Sequence, residues 1–480
     1  MAKQKNASGE KLFIGPRLRR LRQSLQLTQT SMAKDVGIST SYLNLIERNQ
    51  RPMSAKVLLR IVDVFDIDIS VLSPKSDMRM VREINEVLKS PPYKDYKIPK
   101  SEIEDCVNAS PEFARAFLSL HNRSEDLLVR ASMRDNPFAD RDNVERIEAS
   151  LGAVDSVRRF IDEHSNYFDA IDREAENLSD ALGLSTRRPQ TALSDRLHNK
   201  HGIRVRITPA DILPGKLSAF DPHAKRLDLS ELMPQSGRRF QIAYHLALLE
   251  HRRLIDSVIA KALLPSKEAD DLARVNLANY FAAATLMPYG RILQAAEADG
   301  YDIELLSRRF DTSYEQTAHR LTTLQRQGAR GITFFFVRVD IAGNVSKRFS
   351  GGQFHFSRYG GACPLWNIHT CFKTPGETMP QIIEMPDGVK YFSVARAVLR
   401  PGGSHGQPAQ MVAIGLGCEL KFADRLVYSK NLAPVQSALI GVNCYVCERP
   451  SCRARAHAPI NKQLQFDERY RGQSSFKFTD

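Results

Sequence analysis

From Gly15 to Phe65 the apolar positions recur on a helical period, and capping residues cut the stretch into short helices. Pro16 stands at a helix start, where its missing N–H costs nothing, and Leu18, Leu21 and Leu25 form one stripe behind it. Thr28 is placed to cap a second helix that turns Met32, Ala33 and Val36 inward. Gly37 supplies a tight turn, and Ser39 caps a third helix with Leu43 and Ile46 on one face. Ile38 before that cap and Leu43 after it are spaced as a hydrophobic staple, which fixes the angle of entry. Ser54 caps a fourth helix with Val57, Leu58, Ile61 and Phe65 inward. The pattern is a helix-turn-helix.

Beyond it, about Met80 to Leu184 reads as helical, broken at SPPYKDYKIPKS and RDNPFADRDN. IRVRI is a strand, and LSAFDPHAKRLDLS is a hairpin turning at Asp221 and Pro222. A helix RRFQIAYHLALLEHRRL follows, then a run of helices in which Ser313 is a cap. From Gly331 the period changes: GITFFFVRVDIAGNVSKRFS, KYFSVARAVLR and QMVAIGLGC are β runs. The expected chain is therefore multidomain and mainly α. It has an all-α helix-turn-helix bundle at 10–73 and a helical spacing and dimerisation region at 80–188. An α+β domain follows at 190–328, and an α+β sensor domain at 331–480.

With Leu43 and Ile46 inward, Thr40, Ser41, Asn44 and Arg48 are expected on the opposite face, with Ser39 at its start. Hydroxyl and amide side chains there suit base edges in a major groove, whereas Gln29, Arg48 and Arg51 suit phosphates. Charge agrees with a polyanion partner. The 480-residue chain carries a net +13, and residues 1–73 hold twelve Lys or Arg against six Asp or Glu. Arg17, Arg19, Arg20 and Arg22 are expected to share the solvent side of the first helix and add phosphate contacts. Composition is that of a soluble globular protein. The start MAKQKNASGEK lacks the apolar region of a signal peptide, and no apolar run approaches the roughly 20 residues of a membrane span. A cytoplasmic protein without a membrane partner is expected.

Seven cysteines, six of them after residue 360, argue for metal or redox chemistry rather than a disulfide frame. Cys444 and Cys447 form a CxxC pair, and Cys452 follows closely in GVNCYVCERPSCRARAHAP. Cys418 is the leading fourth ligand and Cys363 the next, with His457 an alternative donor for zinc. This set suits an iron–sulfur cluster or a zinc ion, and spacing does not choose between them. Arg449, Arg453 and Arg455 bring positive charge that favours thiolates. Cys106 stands apart and is expected to be a buried structural thiol. In FHFSRYGGACPLWNIHTCF, Arg358, Tyr359, Cys363 and Trp366 are candidates to line a pocket for an acyl or nucleotide group, against the alternative of a well-packed loop.

The stretch GPRLRRLRQSLQLTQTSMAKDVGISTSYLNLIERNQRPMSAKVLLRIVDVF resembles the phage-repressor (XRE, Cro/C1-type) helix-turn-helix family, which implies a dimer on a palindromic operator. Residues 190–328 resemble the ImmA/IrrE metallopeptidase-like domain. Where that family has two histidines, a glutamate and an acidic third ligand, this chain has Tyr244, Leu248, His245 and Leu277. No catalytic residue is assigned, and His245 is expected to be a core histidine. With GGACPLW, GCEL and GVNCYVCERPSC, the whole order resembles the short-chain fatty acyl transcriptional regulators of propionate and acetate metabolism. That resemblance implies a non-enzymatic, dimeric regulator that binds double-stranded operator DNA and responds to a short-chain acyl-CoA, with an iron–sulfur cluster at the cysteines. The rival readings are a stress or mobile-element regulator with structural zinc, and a zinc peptidase acting on a repressor.

Overall fold

The computed structural model describes residues 15–48, 50–65, 67, 78–88, 93, 96–134, 141–352, 354, 356, 362–400, 409–430, 437–445, 447, 449–459, 462–465, 474 and 476–478. They fall into two compact units that divide between Ser132 and Met133.

The first unit holds α1 (Gly15–Ser24), α2 (Gln29–Val36), α3 (Thr40–Glu47), α4 (Ala55–Phe65), α5 (Met78–Leu88), α6 (Lys100–Ala109) and most of α7 (Pro111–Arg134). The expected caps form. Thr28 accepts from the Ser31 N–H, Ser39 from Tyr42 and Ser54 from Val57, while Gly37 takes φ +69°, which favours glycine. Leu18, Met32, Leu43, Ile46 and Ile61 make one core, with Ile38 packed at its edge as the staple requires. Val81, Ile84, Ile103, Val107 and Ala114 make a second, smaller one.

Two expectations are corrected here. Arg17 donates to Asn108 Oδ1 at 2.7 Å, and Arg20 donates to the carbonyls of Asn108 and Ala109, both at 3.2 Å. These guanidiniums bind α1 to the end of α6, and Arg22 turns to Glu47, so of the four arginines Arg19 is the one left exposed. Cys106, expected to be buried, is exposed on α6. The helical stretch read as one region is shared between the units: α5, α6 and most of α7 belong to the first, whereas α8 (Arg141–Glu163) and α9 (Asp169–Ala181) pack in the second.

After α10 (Pro189–His201), β1 (Arg204–Thr208), β2 (Ser218–Asp221) and β3 (Arg226–Ser230) form a sheet in the order β1-β3-β2, with β1 parallel to β3. Asp221 makes the hairpin turn by accepting from the N–H groups of His223 and Ala224. There follow α11 (Gln235–Glu250), α12 (Arg252–Ala262), α13 (Lys267–Leu286), α14 (Tyr289–Ala298), α15 (Ile303–Arg309) and α16 (Tyr314–Leu321). α13 is central: α8, α9, α11 and α12 all pack on it, and its buried alanines at 269, 273, 278 and 282 permit close approach. At its end Asp172 and Arg320, both 0 % exposed, pair at 2.7 and 2.9 Å. Tyr280 Oη donates to the same carboxylate at 2.6 Å, and Arg320 also donates to the Met287 carbonyl and Thr323 Oγ1.

The positions that would ligate zinc in a peptidase are apolar in their setting. Tyr244 and Leu248 pack against the core, Leu277 is 1 % exposed, and His245 lies on Phe220 with ring centroids 5.3 Å apart. Burial pushes the His245 imidazole down to about 4.

A six-stranded sheet closes the second unit in the order β5-β4-β8-β7-β6-β9, from β4 (Phe334–Asp340), β5 (Val345–Ser350), β6 (Met379–Glu384), β7 (Lys390–Arg400), β8 (Gln410–Glu419) and β9 (Ala438–Leu439). Its continuous apolar runs are explained by burial on both faces. Phe334, Phe336, Phe392, Val394, Ile414, Leu416 and Cys418 face the helical core, whereas Phe335, Val337, Tyr391, Ala395 and Ala413 face a second core with Cys363, Trp366 and Ile368. Gly417 is required because a Cβ there would meet the Phe335 ring.

Two predictions follow from this core. Asp172→Asn leaves a buried guanidinium without its counter-ion and is expected to cost roughly 3–5 kcal/mol in urea unfolding of the full chain, with much of the loss recovered in Asp172→Asn/Arg320→Met. His245 titrates lower in the folded chain than the ~6.5 of an unfolded one, so the unfolded state takes up the proton first. Stability should therefore fall by about 1.4 kcal/mol per pH unit from this group as pH drops from ~6.5 toward 4, and His245→Leu should remove that slope in urea titrations across the window.

Candidate DNA-reading helix and cysteine centre

In the first unit the orientation of α3 is set from its inner side. Leu43 and Ile46 are 0 % and 1 % exposed, and Glu47, 6 % exposed, accepts from Arg22 Nε and from Gln29 Nε2, each at 2.7 Å. Arg22 also donates to the Leu27 carbonyl, which ties α1 to the turn before α2. Gln29, expected at a phosphate, is thus half-buried and engaged with Glu47; its sequence position hid that acceptor eighteen residues away.

The outer side carries most of the expected residues. Ser39, Thr40, Ser41, Arg48 and Arg51 are exposed, although the Ser39 hydroxyl is used as the cap of α3. Arg51 lies over the Tyr42 ring, 5.3 Å from its centroid. Asn44 is half-buried at the flank rather than on the outward line, because helical rotation brings it toward the packed side. Leu45, which the inward stripe omitted, is 38 % exposed.

In the second unit the cysteines are brought together from two distant segments. Cys363, Cys444, Cys447 and Cys452 line one small cavity with Gly441, Arg449 and Arg455. Cys418, the expected fourth member, is excluded: it pairs across the sheet with Phe334 and Phe392 and faces the helical core, on the face opposite Cys363. Burial pushes its thiol up to about 12. Cys371 is also apart, donating to the Ile368 carbonyl, with its thiol pushed up to about 11 by burial. His457 stacks on Tyr445 with centroids 4.4 Å apart and does not line the cavity.

The surroundings of the four thiols suit sulfur that carries charge. Burial raises the Cys363 thiol pKa, and the backbone N–H groups of Gly441 and Leu365, donating to its sulfur, oppose that rise. The Ala456 N–H donates to Cys444 Sγ at 3.4 Å. Arg455, 5 % exposed, donates to the carbonyls of Cys444, Cys447 and Arg449, while Arg449 donates to the carbonyls of Ile440 and Glu384. The CxxC segment is thereby fixed to the sheet edge. A Cβ at Gly441 would meet Cys447 Sγ at 2.7 Å, so the cavity needs glycine there. As placed, no three His, Cys, Asp or Glu side chains among the described residues form a metal-holding group; the thiols share a cavity without converging on a point.

Of the four candidates for an effector pocket, the two described ones are placed elsewhere. Trp366 is 3 % exposed, donates from Nε1 to Ser393 Oγ at 3.0 Å, and packs on Phe335 and Phe354 as a core residue. Cys363 belongs to the cysteine cavity, and Arg358 and Tyr359 lie outside the described residues. No helix among the described residues is long and apolar enough to cross a membrane.

Comparison with known proteins gives this architecture a family. Residues 18–72 match the helix-turn-helix model, 198–322 the IrrE N-terminal-like domain, and 323–476 the C-terminal domain of the short-chain fatty acyl coenzyme A regulators. The chain is 39 % identical over 474 residues to the propionyl-CoA carboxylase regulator of Cereibacter sphaeroides, covering 98 % of this chain and all of that one. It is 40 % identical to the HTH-type transcriptional regulator RamB of Mycobacterium tuberculosis, covering 95 % of this chain and 97 % of that one. It is 38 % identical to PrpR of the same organism, covering 95 % and 94 %. A solved Mycobacterium tuberculosis transcriptional regulator superposes with a TM-score of 0.64 at 39 % identity, over 67 % of this chain and 99 % of that one. With an outward α3 at its start and the matched regulator domain at its end, the chain belongs to the short-chain fatty acyl coenzyme A regulators, a family of helix-turn-helix transcriptional regulators.

Proposed function

We propose that this regulator binds a palindromic operator as a homodimer, controls genes of propionate or acetate metabolism, and does so in response to a short-chain acyl-CoA. The observation that carries the DNA-binding half is the division of α3 into a side fixed by Leu43, Ile46 and the Arg22–Glu47–Gln29 network and a side that presents Thr40, Ser41 and Arg48. Rigid inner contacts hold the outer residues at one angle to a groove, which is the condition for reading base edges. The effector half is supported by the match of residues 323–476 to the acyl-coenzyme A regulator domain and by the relative named for propionyl-CoA carboxylase. The chain acts by binding rather than by catalysis, since Tyr244, Leu248 and Leu277 offer no set of ligands for a peptidase zinc. An effector changes operator occupancy only as far as it binds the competent and incompetent arrangements differently.

We further propose an iron–sulfur cluster on Cys363, Cys444, Cys447 and Cys452. Four thiols in one cavity, N–H donors aimed at two of the sulfurs, and a buried guanidinium among the surrounding carbonyls suit a centre whose thiolates carry net negative charge. Such a cluster supplies a one-electron redox input when bound.

Anaerobically purified wild-type chain is expected to be brown, with stoichiometric iron and sulfide. Cys363→Ala, Cys444→Ala, Cys447→Ala and Cys452→Ala should each lose colour, and Cys418→Ala should keep it. Colourless wild-type protein with one zinc overturns the cluster, and colour that survives Cys363→Ala but not Cys418→Ala overturns the assignment of the fourth thiol. For operator binding, Arg48→Ala should weaken all sequences alike and lower the salt slope by about 0.9, the share of one phosphate contact. Propionyl-CoA should shift the operator affinity of the dimer in fluorescence anisotropy, and an unchanged isotherm at saturating effector counts against the sensing role.

A further inference from the structure

The side of α3 that the core leaves free contains one residue whose chemistry differs from its neighbours. Ser41, Leu45 and Arg48 lie on one line: at about 100° per residue, Leu45 is about 40° from Ser41 and about 60° from Arg48. The core already has its anchors in Leu43 and Ile46, at 0 % and 1 % exposed, and Leu45 is left 38 % exposed between a hydroxyl and a guanidinium. A leucine neither donates nor accepts a hydrogen bond. In a major groove lined by donors and acceptors, its favourable contact is with the C5 methyl of thymine, the apolar group exposed there. On the same helix the hydroxyls of Thr40 and Ser41 address polar base edges, while Arg48, at the C-terminal end, suits the flanking backbone.

We infer that Leu45 reads a thymine methyl in each operator half-site, so that part of the sequence preference of this chain is apolar. This rests on the reading of α3 as the recognition helix. Asn44, half-buried at the flank, then contributes less to base choice than Leu45 does. The inference specifies a class of operator: each half-site contains a thymine whose methyl, rather than its hydrogen-bonding edge, is required.

The test uses the full-length chain and a duplex that it selects from random sequence. Each thymine of that duplex is replaced singly by uracil, which removes the methyl and leaves the pairing edge unchanged. The wild-type chain is expected to lose about fourfold in affinity at one position per half-site, the share of one methyl group. Leu45→Ala should bind the thymine and uracil duplexes equally there while keeping its preference at other positions. Leu45→Gln, which keeps length and helix propensity, should also lose the distinction. A thymine-over-uracil preference that persists in both variants overturns the inference, as does a wild-type chain insensitive to uracil at every position. If Leu45→Ala weakens both duplexes equally and sediments as a monomer, Leu45 belongs to an interface between copies and the inference fails. If the chain selects no sequence at all, the reading of α3 fails first, and this inference with it.

Discussion

The second unit is arranged around one buried ion pair. Asp172 on α9 and Arg320 on α16, 148 residues apart in sequence, meet where neither has any exposure to water. Charges so placed persist because each is paired and hydrogen-bonded by its neighbours. Arg320 donates to both carboxylate oxygens, the Met287 carbonyl and Thr323 Oγ1, and Tyr280 on α13 donates to the carboxylate as well. Burial alone would lower the guanidinium pKa, and Asp172 more than reverses it, so Arg320 stays charged. The pair therefore fixes α9, α13, α16 and the turn at Met287 relative to one another. Arg326 extends the arrangement by pairing with Glu176 and lying over the Tyr289 ring, 4.1 Å from its centroid.

The first unit solves a similar problem with the same chemistry on a smaller scale. A helix eight residues long, such as α3, has little stability of its own and depends on what it packs against. Leu43 and Ile46 supply attraction without direction, and the Arg22–Glu47–Gln29 network supplies direction. Removing the carboxylate would leave Arg22 and Gln29 without their shared acceptor. This is also why two expected phosphate contacts are redirected inward: Gln29 and Arg22 are closer to Glu47 than to the surface they were expected to serve.

Features that depend on a few adjacent residues were legible in the sequence. Thr28, Ser39, Ser54 and Ser313 cap helices, Gly37 takes the left-handed turn and Asp221 closes its hairpin, because each effect acts within a few positions of its cause. What depended on distant pairing was not. Nothing near Arg17 announces Asn108, and four arginines on one helix look the same whether they face phosphates or α6. Cys418 illustrates a second limit. In QMVAIGLGC the apolar run is continuous, so strand alternation says that Cys418 shares a face with Leu416 but not which face that is. Pairing with Phe334 and Phe392 decides it, and because both faces are covered, each by a different core, the apolar pattern carries no mark of which face is which. The positions of the peptidase pattern were legible for the opposite reason: Leu248 and Leu277 cannot ligate a metal in any arrangement.

The same sheet joins the cysteine cavity to the buried ion pair through contacts that can be followed atom by atom. Arg449, at the cavity wall, donates to the carbonyls of Ile440 and Glu384, the latter at the end of β6. β6 pairs with β7, and β7 sends Arg396 to Glu304 on α15 and Arg400 to Glu315 on α16. Glu315 is held on its other oxygen by Arg338 from β4, and Arg320 lies further along the same helix, α16. Carboxylates on α15 and α16 thus receive guanidiniums from the sheet, an arrangement that resists sliding of these helices over the strands. Contiguity of this kind does not itself transmit a signal. Transmission requires that the frame have two arrangements and that a ligand bind them unequally. The ties to Glu304 and Glu315 keep some access to water, whereas the Asp172–Arg320 pair has none. Of these contacts, the Asp172–Arg320 pair is the one with no access to water, so the helical core is the part of the frame most costly to rearrange.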